Sequence, residues 1–172
     1  MRNGFQQLID FRSKSDKYQL IMDSFDLCSI PSSANDVDAV VNYANGALGS
    51  MAMVNYPYPT SYLNPLPANP VDTGCEAATT YVIGTDDPEG DTLKAMNEAV
   101  SIYWAGLGDD CLDLYGTQTN DVDENGWDIL YCNEMVMPFA QSGVSDMFLP
   151  AEEWDMEGTT EYCELAYGLS PQ

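Results

Sequence analysis

Five prolines fall within sixteen residues of NYPYPTSYLNPLPANP (55–70), at Pro57, Pro59, Pro65, Pro67 and Pro70. Each lacks a backbone donor and clashes with a preceding helical turn, so neither a helix nor a central strand can run through this stretch. The segment is expected to be extended and stiff, because proline presets the backbone near polyproline geometry. A flexible linker would instead be rich in Gly and Ser. This one carries Tyr56, Tyr58, Tyr62 and Leu63, which predicts a strap that packs on something.

On either side of the strap the apolar spacing is helical. Phe5, Leu8, Ile9 and Phe11 mark a first helix over 4–12, and Tyr18, Leu20, Ile21, Phe25 and Leu27 a second over 18–27. Pro31, Ser32 and Ser33 then break the chain, and Ser33-x-x-Asp36 caps a third helix. Val37, Val40, Val41, Ala44, Leu48 and Met51 give that helix one apolar face, the signature of core packing. Residues 75–83 and 89–104 predict two more helices, the latter with Leu93, Met96, Val100 and Tyr103 on one side. An acidic, glycine-bearing loop is expected from Gly106 to Gly126, a short apolar helix over 133–140, and a last helix from Thr159 to Tyr167. The fold class is all-α, six or seven helices in a single domain over 1–172.

Charge and histidine content exclude more than they specify. The chain carries 28 Asp and Glu against 5 Lys and Arg, a net charge of -23, yet 45% of its residues are hydrophobic. Enough apolar surface exists for a core, so this is no disordered acidic tail. Such a surface repels phosphate backbones and anionic lipid, which argues against nucleic-acid and membrane partners. Mild acid would relieve the mutual repulsion of the carboxylates, so an acidic compartment suits the chain. There is no apolar run of membrane-spanning length, and MRNGFQQLIDF has no signal-peptide core.

There is no histidine, so no Ser-His-Asp or Cys-His nucleophile can be completed within these residues. No GxGxxG, P-loop or HExxH motif occurs, and no cofactor is expected. Five cysteines, Cys28, Cys75, Cys111, Cys132 and Cys163, are spaced too widely for a zinc knuckle. By themselves they read equally as buried thiols or as disulfides.

DVDENGWDILYC (121–132) imitates the opening of a calcium loop, with Asp121, Asp123, Asn125 and Gly126 at the positions of the first ligands and the turn glycine. The bidentate Glu that should close the loop is Cys132, and the apolar eighth position is Asp128. No resident metal is expected. A stand-alone acidic helical binding protein, holding calcium weakly at 121–126, remains the alternative function.

Three blocks point elsewhere. MAMVNYPYPTSYLNPLPANPVDTGC (51–75), GWDILYCNEMVMPF (126–139) and GVSDMF (143–148) resemble, in order and spacing, a run in the family of lysosomal Pro-Xaa carboxypeptidase and dipeptidyl peptidase II. FDLC (25–28) matches ahead of them and Tyr162-Cys163 behind. The resemblance implies a helical cap, or insertion, domain that roofs the active site of an α/β-hydrolase-type serine exopeptidase. The family's nucleophilic Ser lies upstream of this region and its Asp and His downstream. No catalytic residue is therefore expected in 1–172, and the chain alone should be inactive.

The resemblance further implies the disulfides Cys28–Cys111 and Cys132–Cys163. Cys75 is left to a cysteine upstream of Met1, and a further family cysteine is replaced by Ala140. It implies that Met137 lines the pocket for the substrate proline. Trp127-Asp128 matches the dipeptidyl peptidase form, in which the carboxylate holds the free α-ammonium of the substrate, whereas the carboxypeptidase branch has Ser at the Asp position. The implied partners are peptides with proline at the second position and the protein's own catalytic core, and a homodimer is compatible with both. The implied compartment is lysosomal, vacuolar or secreted.

Overall fold

The helical spacing is realised, and one helix gathers most of the others around it. In the computed structural model the described residues are 1–61, 64–81, 86–104, 111–115, 122–134, 136, 148 and 155–171, the side chains of 122–125 excepted. Among them are seven α-helices: α1 (Arg2–Phe11), α2 (Tyr18–Phe25), α3 (Ala34–Met53), α4 (Pro70–Ala78), α5 (Pro88–Trp104), α6 (Val122–Asn133) and α7 (Met156–Tyr167). The described residues hold no strand beyond two isolated bridges, so the chain is all-α as expected. They divide into two compact units, Met1–Leu114 and Tyr115–Gln172.

In the first unit α5 packs against α1, α2, α3 and α4. The side chains expected on its inner face, Leu93, Met96, Val100 and Tyr103, are all buried. Phe5, Leu8 and Phe11 of α1 and Ile21 and Phe25 of α2 are buried in the same core. Each fully buried side chain of this size contributes about 1.5–3 kcal/mol of transfer free energy. α3 starts where Ser33 said it would: the Ser33 hydroxyl accepts from the Asp36 amide, and the Asp36 carboxylate accepts from the Ser33 amide, a reciprocal cap. Its buried face includes Val37, Val40, Ala44, Leu48 and Met51, with Ala47 buried and Val41 only half-buried. Near the end of α5, Tyr43 stacks on Trp104 at 5.1 Å, and burial pushes the Tyr43 phenol pKa upward.

α2 stops at Asp26, which takes a left-handed conformation (φ 50°), and the chain then turns into a short parallel bridge of Leu27 with Leu112. Cys28 N–H donates to Leu112 O at 2.9 Å, and Leu112 N–H donates to Asp26 O at 2.7 Å. The disulfide Cys28–Cys111 lies beside this bridge, with Cα atoms 5.0 Å apart. Closing a loop of 83 residues stabilises by roughly 4 to 5 kcal/mol in the chain-entropy model. Cys75 is free and exposed.

The strap departs from a simple extended rod. Thr60 and Leu66 pair antiparallel through two backbone hydrogen bonds of 3.1 and 2.7 Å, so the proline-rich stretch doubles back on itself. It is anchored by buried Leu66 and by Asn64, whose side-chain amide donates to Tyr103 O at 3.0 Å. Tyr56 and Tyr58 do not pack inward. They stack on one another at 5.4 Å and stay exposed. Tyr62 and Leu63 lie outside the described residues.

Three expected boundaries are corrected. The helix read over 75–83 begins five residues earlier, because Pro70 occupies its first turn, where a missing N–H and a preset φ cost nothing. It ends at Ala78, where the Thr79 and Thr80 hydroxyls donate back to Glu76 O and Ala77 O. Residues 122–126, read as loop, form the start of α6. A calcium loop needs a non-helical backbone through these positions, so the helix removes the geometric basis of that alternative; Asp121 lies outside the described residues. The apolar helix expected over 133–140 is absent at its start. α6 runs on to Asn133, and Val136 is not helical.

α4 approaches α5 closely because residue 74 is a buried glycine. A Cβ there would stand 2.9 Å from Ala99 O, a backbone atom that cannot swing aside. Gly74→Ala should therefore destabilise by about 1–3 kcal/mol through overpacking, more than the helix propensity it gains, about 1 kcal/mol. At Gly46 nothing lies within 4 Å of the corresponding point, so Gly46→Ala should be neutral or stabilising. Urea unfolding of both variants checks this, and a Gly74→Ala midpoint equal to the parent's would show that α4 and α5 do not pack so tightly. A second expectation concerns the cysteines. Peptide mapping without reduction should recover Cys28 with Cys111 and Cys132 with Cys163, with Cys75 alone taking up alkylating agent.

Candidate substrate-recognition site

Most of the residues singled out for recognition lie in the second unit, on or near two helices whose ends are well specified. α7 starts at Asp155, whose carboxylate accepts from Gly158 N–H at 2.9 Å. It stops at Gly168, the left-handed residue (φ 67°), where Leu169 N–H donates back to Cys163 O at 3.3 Å. α6 packs against α7, and the disulfide Cys132–Cys163, buried at both ends, joins them. This is the pairing the family pattern implied. Closing 31 residues contributes roughly 3 to 4 kcal/mol on the same model.

Asp128 stands one turn before Cys132 on α6, and so on the same side of the helix. Its Oδ2 accepts from the Tyr162 hydroxyl at 3.0 Å and from the Tyr167 hydroxyl at 3.1 Å. The two tyrosine rings meet edge to face, with centroids 6.1 Å apart. Among the described residues Oδ1 has no partner. Asp128 and Tyr167 are half-buried, and Tyr162 is exposed. The Tyr162 phenol is held well above its ordinary pKa, first by its hydrogen-bonding contact with Tyr167 and then by that with Asp128.

The charge balance around this carboxylate is one-sided. From Tyr115 to Gln172 the sequence has no Lys, Arg or His, and the five bases of the chain all precede it. Within its own unit Asp128 can be met only by neutral donors. A carboxylate oriented through one oxygen, with the other open, can accept a strong charge-assisted hydrogen bond from a primary ammonium.

The remaining expected residues are placed less fully. Trp127 is 56% exposed and makes no hydrogen bond or ring contact among the described residues. It is not brought to Asp128's partners. Met137 lies outside the described residues. Tyr167 had no part in the expectation, and Tyr162 entered only as the neighbour of a matching cysteine. The signal was present all the same. If Cys132 pairs with Cys163, the residue four before the one and the residue before the other are brought to the same level of the helix pair.

The phenolic contact gives a direct test. Ionising Tyr162 would surrender its donated hydrogen bond and place a second negative charge beside Asp128, so the neutral phenol persists to higher pH. Asp128→Asn keeps an acceptor and removes the charge, so Tyr162 should ionise at lower pH than in the parent. The 13Cζ resonance of Tyr162, followed through its alkaline titration, should move at lower pH in the variant than in the parent, while the Tyr167 contact still holds it above the ordinary phenol range. Identical titrations would dissolve the Asp128–Tyr162 contact.

No family model matches the chain. Individual relatives do. The human lysosomal Pro-X carboxypeptidase is 30% identical over 155 residues, 90% of this chain and 30% of that protein. The mouse lysosomal Pro-X carboxypeptidase is 33% identical over 147 residues, 85% of this chain and 29% of its own length. A Caenorhabditis elegans prolyl carboxy peptidase like protein 5 is 30% identical over 168 residues, covering 90% of this chain and 32% of that protein. The chain thus spans about a third of the length of the curated relatives it matches, and it belongs to the family of the lysosomal Pro-X carboxypeptidases.

Proposed function

We propose that residues 1–172 are the substrate-recognition cap region of a proline-directed serine exopeptidase that releases X-Pro dipeptides from peptide N-termini in an acidic, lysosomal compartment. The carrying observation is Asp128 itself. It is an acid in a unit without a single base, tied among the described residues by two neutral phenols, at the position where the dipeptidyl peptidase form of the resembling motif has Trp-Asp. The region supplies recognition and no chemistry, since it has no histidine for a serine nucleophile. Cys132–Cys163 supports the reading by fixing α6 to α7 at the turn adjoining Asp128. Met137 is the residue we assign to the proline ring, because a thioether adapts to a compact apolar surface. Trp127 completes the recognition set as an exposed aromatic next to the acid.

A second reading is favoured by the relatives' names. If the chain follows the Pro-X carboxypeptidases in specificity, the enzyme removes a C-terminal residue after proline, and Asp128 has no ammonium to meet. The complete enzyme containing these residues separates the two. On the dipeptidyl peptidase reading, Asp128→Asn removes a charge-assisted hydrogen bond worth roughly 1.5 to 3 kcal/mol. The kcat/KM for an Ala-Pro chromogenic amide should then fall about ten- to 150-fold, while the N-acetylated substrate hardly changes. Equal slowing of both substrates, or none, together with release of a C-terminal residue from Pro-X peptides, would replace this reading by the carboxypeptidase one.

A further inference from the structure

We propose that Tyr162 and Tyr167 are positioning residues that hold the Asp128 carboxylate by one oxygen and leave the other free to receive the ammonium of a peptide substrate. The inference rests on the amine-binding reading of Asp128 and assigns its supporting side chains.

Three observations carry it. The first is the pattern of hydrogen bonds. Both hydroxyls, at 3.0 and 3.1 Å, donate to the same Oδ2, and Oδ1 has no partner among the described residues. Two donors converging on one oxygen fix the plane of the carboxylate and present the other oxygen in a defined direction. A carboxylate accepts about four hydrogen bonds, so this arrangement is unsaturated on the Oδ1 side.

The second is the nature of the donors. A Lys or Arg in the same place would orient the acid and also neutralise it. Phenols orient it and leave its charge intact. The whole stretch from Tyr115 to Gln172 offers no cation to do otherwise. The Tyr162 phenol is held protonated beyond its ordinary range, first by its contact with Tyr167 and then by its bond to Asp128. A cationic ligand is what such a group lacks.

The third is redundancy. The Cys132–Cys163 disulfide already joins α6 to α7 one turn away. Two further hydrogen bonds at a half-exposed site add little to that cross-link, and a purely mechanical tie would not need both phenols on a single oxygen. The two rings also meet edge to face, 6.1 Å between centroids, while both hydroxyls reach Oδ2.

The test uses the complete enzyme with Tyr162→Phe, Tyr167→Phe and the double variant. Kinetics are followed on an Ala-Pro chromogenic amide and on its N-acetyl counterpart. Each single change should lower kcat/KM for the free-amine substrate about three- to tenfold, mostly through KM, because the acid loses one of the two donors that orient it. The N-acetyl substrate should stay within about twofold, which also certifies that the variants fold. Where its turnover is too slow to time, competitive inhibition constants of Ala-Pro and N-acetyl-Ala-Pro give the same ratio. In an Asp128→Asn background the tyrosine changes should add less than they do in the parent, because the group they position has lost its charge. If Asp128→Asn abolishes the preference for the free amine and the tyrosine variants leave it untouched, the positioning role is wrong and the amine anchor stands. If Asp128→Asn also leaves the preference unchanged, the amine anchor fails and the positioning role falls with it. A parallel loss on both substrates would mark the tyrosines as structural ties only.

Discussion

The first unit depends on how closely its other helices can approach α5. α1, α2, α3 and α4 all pack against it, and α4 does so through a glycine that brings its backbone to the Ala99 carbonyl. This central burial has to outweigh the repulsion among 16 Asp and Glu set against 5 Lys and Arg in residues 1–114, which acts against any compact state. Ion pairing offers little relief. Arg12 meets Asp38 at 2.6 Å and Lys17 meets Glu89 at 2.5 Å, both at the surface, where such pairs are worth at most about 1 kcal/mol each. Apolar burial and the Cys28–Cys111 cross-link are therefore the terms large enough to hold this unit.

The second unit solves the same problem with fewer helices. α6 and α7 leave Trp127, Ile129, Leu130 and Leu165 exposed, so little apolar area is buried between them. The disulfide compensates by acting on the unfolded chain, whose freedom it restricts independently of core size. A rigid short helix pair is also a suitable mount for an oriented acid. Cys132 and Asp128 are a turn apart, so the residue that fixes the helix and the residue that carries the charge share one side of it.

Much of this was legible in the residues, for local reasons. The Ser33–Asp36 cap, the apolar face of α3 and the inner face of α5 are periodic or stereochemical signals that act within a few residues, and they appear where they were read. The start of α4 was missed because Pro70 was counted with the strap, although a proline in a first helical turn is as favourable as one in an extended segment. The 121–126 stretch misled for a related reason. Its oxygen-rich spacing describes a calcium loop only on a non-helical backbone, and the apolar residues just beyond it continue a helix instead. The inward packing of Tyr56 and Tyr58 failed for a different cause. Two tyrosines separated by one proline can cover each other's faces, and they do so at 5.4 Å without needing a core.

The candidate site shows where sequence reading runs out. The acid itself is singled out by a motif, because a carboxylate beside Trp127 is a local feature. Its partners were not found, because Tyr162 and Tyr167 lie 34 and 39 residues away and their contact exists only once α6 and α7 are joined. Net charge would have suggested that one more acid among 28 is merely solvated. What distinguishes Asp128 is the quality of its environment. Two neutral donors fix its direction, no base of its unit stands against it, and one oxygen has no partner among the described residues. The proposed amine-binding role draws on that combination, because an ammonium would supply a cation that the residues from Tyr115 to Gln172 do not.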